Sequence, residues 1–181
     1  MAMRRTARGE SLRDWSNDIH GVLAASNVSL IATVPDAGLS RTLDLCRKDG
    51  KMHVVTLSSE QDGIGILIGA WLGGKRAALL MQSSGVGNCV NAFATIAACR
   101  TPCLMLVTMR GEWGEFNPWQ VPMGQAAPKV MEIMGTVLHR ADRAEDVGPA
   151  MTAAAAIAFN SERAAAVLIG QRLIGTKSFD K

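Results

Sequence analysis

The chain has 181 residues, of which 48% are hydrophobic and 19% charged. That is enough apolar side chain to close one core and too little charge for a disordered polymer. Lys and Arg outnumber Asp and Glu by 19 to 16, and Arg4, Arg5, Arg8 and Arg13 stand near the start. The remainder is close to neutral, which argues against nucleic acid as the main partner, because phosphate neutralisation needs a concentrated basic face.

The first helix is expected over 12–25, preceded by a flexible stretch 1–10 with no apolar signal core, so a cytoplasmic protein is expected. Short runs of Val, Ile and Leu follow at 28–34, 53–57, 77–81, 103–109 and 164–169, with a weaker one at 136–138. Each is bounded by turn residues and reads as a buried parallel strand. Helix-length segments alternate with them at 39–48, 61–72, 88–99 and 144–158. This order predicts an α/β fold: a doubly wound, mostly parallel sheet of about six strands with helices on both faces. One domain is expected over 11–175, with a flexible tail at 176–181. The irregular segment 110–128 contains Pro118, Pro122 and Pro128 and reads as a functional loop. The uncharged stretch 77–99 is not a membrane span, since Gln82, Ser83, Ser84, Gly85, Gly87, Asn88 and Asn91 interrupt it.

In such a sheet, ligands gather at the carboxyl ends of the strands. Those ends read Val34-Pro35-Asp36-Ala37-Gly38, Ser58-Ser59-Glu60, Gln82-Ser83-Ser84-Gly85-Val86-Gly87-Asn88 and Arg110-Gly111-Glu112. Ser58 or Ser59 can cap the next helix, and Glu60 in its first turn is favoured by the helix dipole. The helix beyond is nearly all apolar or Gly, so Glu60 also stands at the mouth of a crevice where it can share a proton with a ligand. The stretch from Ser83 to Asn88 reads either as a phosphate cradle or as a tight turn with Asn88 capping the next helix. Ser83 and Ser84 have no nearby His, which excludes a hydrolase triad. Cys46, Cys89, Cys99 and Cys103, with His20, His53 and His139, have no zinc spacing, so reduced thiols and no metal site on this chain are expected. Gly65, Gly69 and Gly73 recur every four residues, suiting either packing inside the chain or a helix crossing against another subunit.

Val34-Pro35-Asp36, Ser59-Glu60, the run from Met81 to Asn91 and Met109-Arg110-Gly111-Glu112 together resemble the pyrimidine-binding domain of thiamine diphosphate (ThDP) decarboxylases. Within that family the resemblance is to the sulfopyruvate decarboxylase α subunits and the N-terminal part of phosphonopyruvate decarboxylases. It implies that Glu60 hydrogen-bonds N1′ of the cofactor's aminopyrimidine and favours its 4′-imino form, which activates the thiazolium carbon toward a 2-keto acid; CO₂ then leaves into the thiazolium. It further implies cofactor contacts from Ser59, Gly85, Val86 and Asn88, substrate contacts from Gln82, Arg110 and Asn88, and proton transfer by Asp36.

The same family binds diphosphate and Mg²⁺ through a second domain carrying Gly-Asp-Gly. Here Asp49-Gly50 and Asp62-Gly63 follow Lys48 and Gln61, and neither forms that motif. The resemblance therefore implies a separate β subunit with the diphosphate and Mg²⁺ sites, an αβ hetero-oligomer with two or more copies, and activity only in the complex. Phosphonopyruvate decarboxylases carry Pro-Gln-His in the segment where this chain reads Asn117-Pro118-Trp119-Gln120. The expected reaction is accordingly conversion of 3-sulfopyruvate to sulfoacetaldehyde and CO₂. The alternatives are phosphonopyruvate or another short 2-keto acid as substrate, or a non-catalytic structural or regulatory relative.

Overall fold

The structure, a computed structural model, describes residues 14–176. The stretch expected to be flexible at 1–10 and residues 177–181 of the expected tail lie outside the described residues, as do the first two positions of the helix expected over 12–25.

Six strands form one sheet: β1 (Val28–Thr33), β2 (His53–Thr56), β3 (Arg76–Gln82), β4 (Cys103–Thr108), β5 (Val137–Ala141) and β6 (Ala164–Ile169). Their order is β2-β1-β3-β4-β6-β5 and every adjacent pair is parallel. The helices are α1 (Trp15–Ala25), α2 (Ser40–Lys48), α3 (Glu60–Leu72), α4 (Ser83–Cys99), α5 (Gln120–Ile133), α6 (Ala144–Ser161) and the short α7 (Gln171–Ile174). Among the described residues, no helix is long and apolar enough to cross a membrane.

The central strands are apolar throughout because both faces are covered. Ala78 and Leu80 of β3 and Leu104 and Leu106 of β4 pack with α1, α2 and α6 through Ile19, Leu43 and Met151. Their neighbours Ala77, Leu79, Cys103, Met105 and Val107 pack with α3, α4 and α5 through Leu67, Phe93 and Met131. From β1 the chain steps outward to β2, then returns past β1 to β3. The carboxyl ends of β1 and β3 thus flank a reversal of strand order, where open α/β sheets form their crevice.

Two sequence readings are corrected here. The stretch from Ser83 to Asn88 is not a loop: α4 starts at Ser83 directly after Gln82, and Asn88 lies in its second turn rather than at its cap. The segment 110–128 is irregular only as far as Trp119, since α5 runs through Pro122, Gly124 and Pro128. Helix propensity opposes α5, but burial of Gly124, Ala127 and Met131 offsets it. The glycine stripe on α3 is open: among the described residues, a Cβ at Gly65 or Gly69 would meet nothing within 4 Å, so those two positions do not serve packing against the described residues.

Candidate active site

Glu60 opens α3 at the carboxyl end of β2 and is 7% exposed. Ser59 occupies the cap position without a side-chain cap bond. Glu60 Oε2 accepts a hydrogen bond from Asn88 Nδ2 at 2.8 Å. Asn88 comes from the second turn of α4, which the direct β3-to-α4 junction brings beside α3. The close approach depends on Gly85: a Cβ there would stand 2.4 Å from Glu60 Cδ and 2.4 Å from Oε1. The first glycine of the Gly-x-Gly thus functions as clearance for a carboxylate, while Gly87 lies against Met123. Cys89, one residue beyond Asn88, is buried, and desolvation together with the Glu60 charge pushes its thiol up to about 12. It remains an uncharged thiol at neutral pH.

A second network spans the ends of β1, β3 and β4. Asp36 follows β1 and caps a single 3-10 turn, accepting from Gly38 N at 3.0 Å. It also accepts from Thr108 Oγ1 at 3.0 Å and from Gln82 Nε2 at 2.9 Å. The Gln82 oxygen accepts from Ser84 Oγ and from Gln120 Nε2, each at 2.8 Å. Ser84 and Asn88 are four residues apart on α4, so this network and the Glu60 pair border one face of one helix.

Arg110 follows β4 and is 7% exposed. Its Nε and Nη2 donate to Glu115 at 2.6 and 2.5 Å. Glu115 also accepts from Gly111 N, Asn117 N and Gln171 Nε2, and Arg110, the strongest of these influences, holds its carboxyl down at about 2. Two guanidinium nitrogens therefore serve the 110–119 segment. Glu112 turns the other way, to Arg140.

The structure thus gathers Asp36, Ser59, Glu60, Gln82, Gly85, Val86, Asn88 and Arg110 at one end of the sheet, with Asp36 joined to Gln82 and Glu60 joined to Asn88. Sequence reasoning gave Ser84 and Gln120 no place in the site and passed over Thr108 and Glu115. Thr108 could have been found, because it is the last residue of an apolar strand and its hydroxyl has to find a partner at the crevice. Glu115 and Gln120 carry no comparable signal, since their partners depend on how the loop folds.

The fold is an α/β protein with a parallel sheet, and it places a buried Glu, held by one oxygen beside a glycine, at the strand ends where such sheets gather ligands. No family model matches the chain. Among known proteins, it is 36% identical over 116 residues to the sulfopyruvate decarboxylase subunit alpha of Methanocaldococcus jannaschii, covering 64% of this chain and 69% of that one. It is 30% identical over 155 residues to the subunit of the same name from Methanococcus maripaludis, covering 85% and 93%. The match to the sulfopyruvate decarboxylase of Methanosarcina acetivorans, 30% over 115 residues, spans 63% of this chain but only 29% of that longer one. Phosphonopyruvate decarboxylase of Streptomyces viridochromogenes is 28% identical over 118 residues, 64% of this chain and 30% of its own. Among solved structures, 2-oxoglutarate:ferredoxin oxidoreductase from Magnetococcus marinus superposes with a TM-score of 0.67 at 10% identity, over 88% of this chain and 29% of that one; this is a likeness of fold. The chain belongs to the family of sulfopyruvate decarboxylase α subunits.

Proposed function

We propose that this chain is the pyrimidine-binding subunit of a ThDP-dependent decarboxylase that converts 3-sulfopyruvate to sulfoacetaldehyde and CO₂. The carrying observation is Glu60: it is buried at a strand end, Asn88 holds one of its oxygens, and a glycine clears the space around it. No bond among the described residues occupies Glu60 Oε1, which suits it to a protonated ring nitrogen. These features fit an aminopyrimidine. The cofactor, when bound, supplies an electron sink for the carboxylate's departing electron pair.

The residues of this chain then divide the work. Glu60 holds and moves a proton at N1′, a task suited to a carboxyl group sheltered from water. Asn88 fixes the direction of that carboxylate, Gly85 keeps room for it, and Val86 and Ser59 border the same end of α3 and α4. Asp36, held by three donors, is placed to handle protons near the substrate carbonyl. Arg110 can face a sulfonate with Nη1, the guanidinium nitrogen that Glu115 leaves.

Relatives of matching length carry the name subunit alpha, which supports a separate β subunit holding the diphosphate and Mg²⁺. The uncharged, open stripe of Gly65 and Gly69 suits a close helix crossing in such a hetero-oligomer. The test is CO₂ release from sulfopyruvate with ThDP and Mg²⁺, by the chain alone and mixed with a Gly-Asp-Gly subunit. The expected result is activity only in the mixture. Turnover of phosphonopyruvate instead would move the substrate, and an inert mixture on every 2-keto acid would favour a structural role.

A further inference from the structure

Gln120 opens α5 and is 5% exposed. Its Nε2 donates to Gln82 Oε1, and Gln82 Nε2 in turn donates to Asp36 Oδ1. The orientation of both amides follows from this chain. An ionised carboxylate only accepts, so Gln82 turns its NH₂ toward Asp36 and its oxygen away; that oxygen is met only by donors, so Ser84 and Gln120 present theirs. Gln120 Oε1 is left buried without a partner among the described residues. A buried amide that uses its donor and leaves its acceptor unmet is unfavourable by itself, and an apolar side chain of similar size would fill the same volume without that cost.

We propose that Gln120 is a positioning residue that locks the Gln82 amide, and through it Asp36, in the orientation the reaction needs. The proposal rests on the functional reading above. Gln82 has two arrangements. In one its NH₂ steadies Asp36; in the other its oxygen faces Asp36 and repels it. Gln120 favours the first by donating to the Gln82 oxygen, beside the Ser84 hydroxyl that donates to the same atom. Gln82 therefore commits one N–H to Asp36 and keeps its second N–H for a substrate group, so holding Asp36 is a role added to the substrate contact implied by the family resemblance.

The test compares Gln120→Met, which removes the donor, with Gln120→Glu, which donates only while protonated, in the complex with the partner subunit. Gln120→Met should lower kcat at least tenfold with ThDP affinity within twofold of wild type. Gln120→Glu should add to the pH profile of kcat a loss on the alkaline side of the new carboxyl's titration, absent from wild type. In the full chain without partner, NMR should show the Gln82 side-chain NH₂ protected from exchange in wild type and not in Gln120→Met, a readout independent of turnover. A Gln120→Met enzyme within twofold of wild-type kcat, or a Gln120→Glu profile that overlays the wild-type one, would overturn the lock. If Gln120→Met fails to fold, the profile of Gln120→Glu decides alone. Glu60→Gln serves as the control for the reading itself: if it retains full turnover the functional reading fails, whereas loss there with no effect at Gln120 defeats the lock only.

Discussion

Gly85 and Glu60 compete for the same space: a side chain on α4 at position 85 would place its first carbon 2.4 Å from the Glu60 carboxyl carbon. Gly85→Ala therefore separates stability from function. Alanine improves helix propensity by about 1 kcal/mol, and the clash falls on the movable end of Glu60 rather than on backbone. The fold should persist, with a melting temperature within a few degrees of wild type, while the displaced carboxylate loses Asn88 and turnover falls at least tenfold. Circular dichroism melting beside CO₂ release checks both halves.

Gly124 gives the opposite result from the same substitution. A Cβ there would come 1.9 Å from the Arg110 carbonyl oxygen and 2.9 Å from Gly111 Cα, so α5 would have to move away from the segment that holds Arg110. Overpacking against backbone is costly. Gly124→Ala should destabilise the chain by about 2–4 kcal/mol in denaturant unfolding, despite its better propensity.

Glu115 makes stability depend on acid. Its carboxyl is lowered from 4.5 to about 2, first by Arg110 and then by backbone donors from Asn117 and Gly111 and by Gln171. A group whose folded value lies below its unfolded one contributes stability that is complete above pH 4.5 and is lost as pH falls toward 2. The shift corresponds to roughly 3 kcal/mol. Urea midpoints measured from pH 6 to pH 3 should fall for wild type, and the slope should be shallower for Glu115→Gln, which starts less stable at pH 6.

The strands were legible because their signal is local. The runs at 28–34, 53–57, 77–81, 103–109 and 164–169 each agree with β1, β2, β3, β4 and β6 within a residue at either end, and the weak run at 136–138 anticipates β5, which extends to Ala141. Both sheet faces are covered, so apolar runs without alternation mark the strands directly. What failed was local punctuation. Gly85 and Gly87 signalled a turn, yet both lie inside α4, where the small size of Gly85 serves the contact with Glu60 and Gly87 faces Met123. Pro122, Gly124 and Pro128 signalled a loop, yet α5 forms because Gly124 lies against Arg110 and Gly111. That Asp36, Glu60, Gln82, Asn88 and Arg110 stand at one end of the sheet was readable from their places at or just after the strand ends. Their pairing was not: Arg110 engages Glu115, five residues along an irregular segment, and Gln82 is held by Gln120 from the start of the next helix.

The most direct test of the account is Glu60→Gln in the complex with the partner subunit, read by CO₂ release from sulfopyruvate under saturating ThDP and by calorimetric ThDP affinity. The substitution keeps the size of the side chain and removes its ability to exchange a proton. The account predicts a folded complex that loses at least a hundredfold in turnover at saturating cofactor, on the scale of general acid–base contributions. Turnover within a few fold of wild type in a complex that still binds ThDP would contradict it.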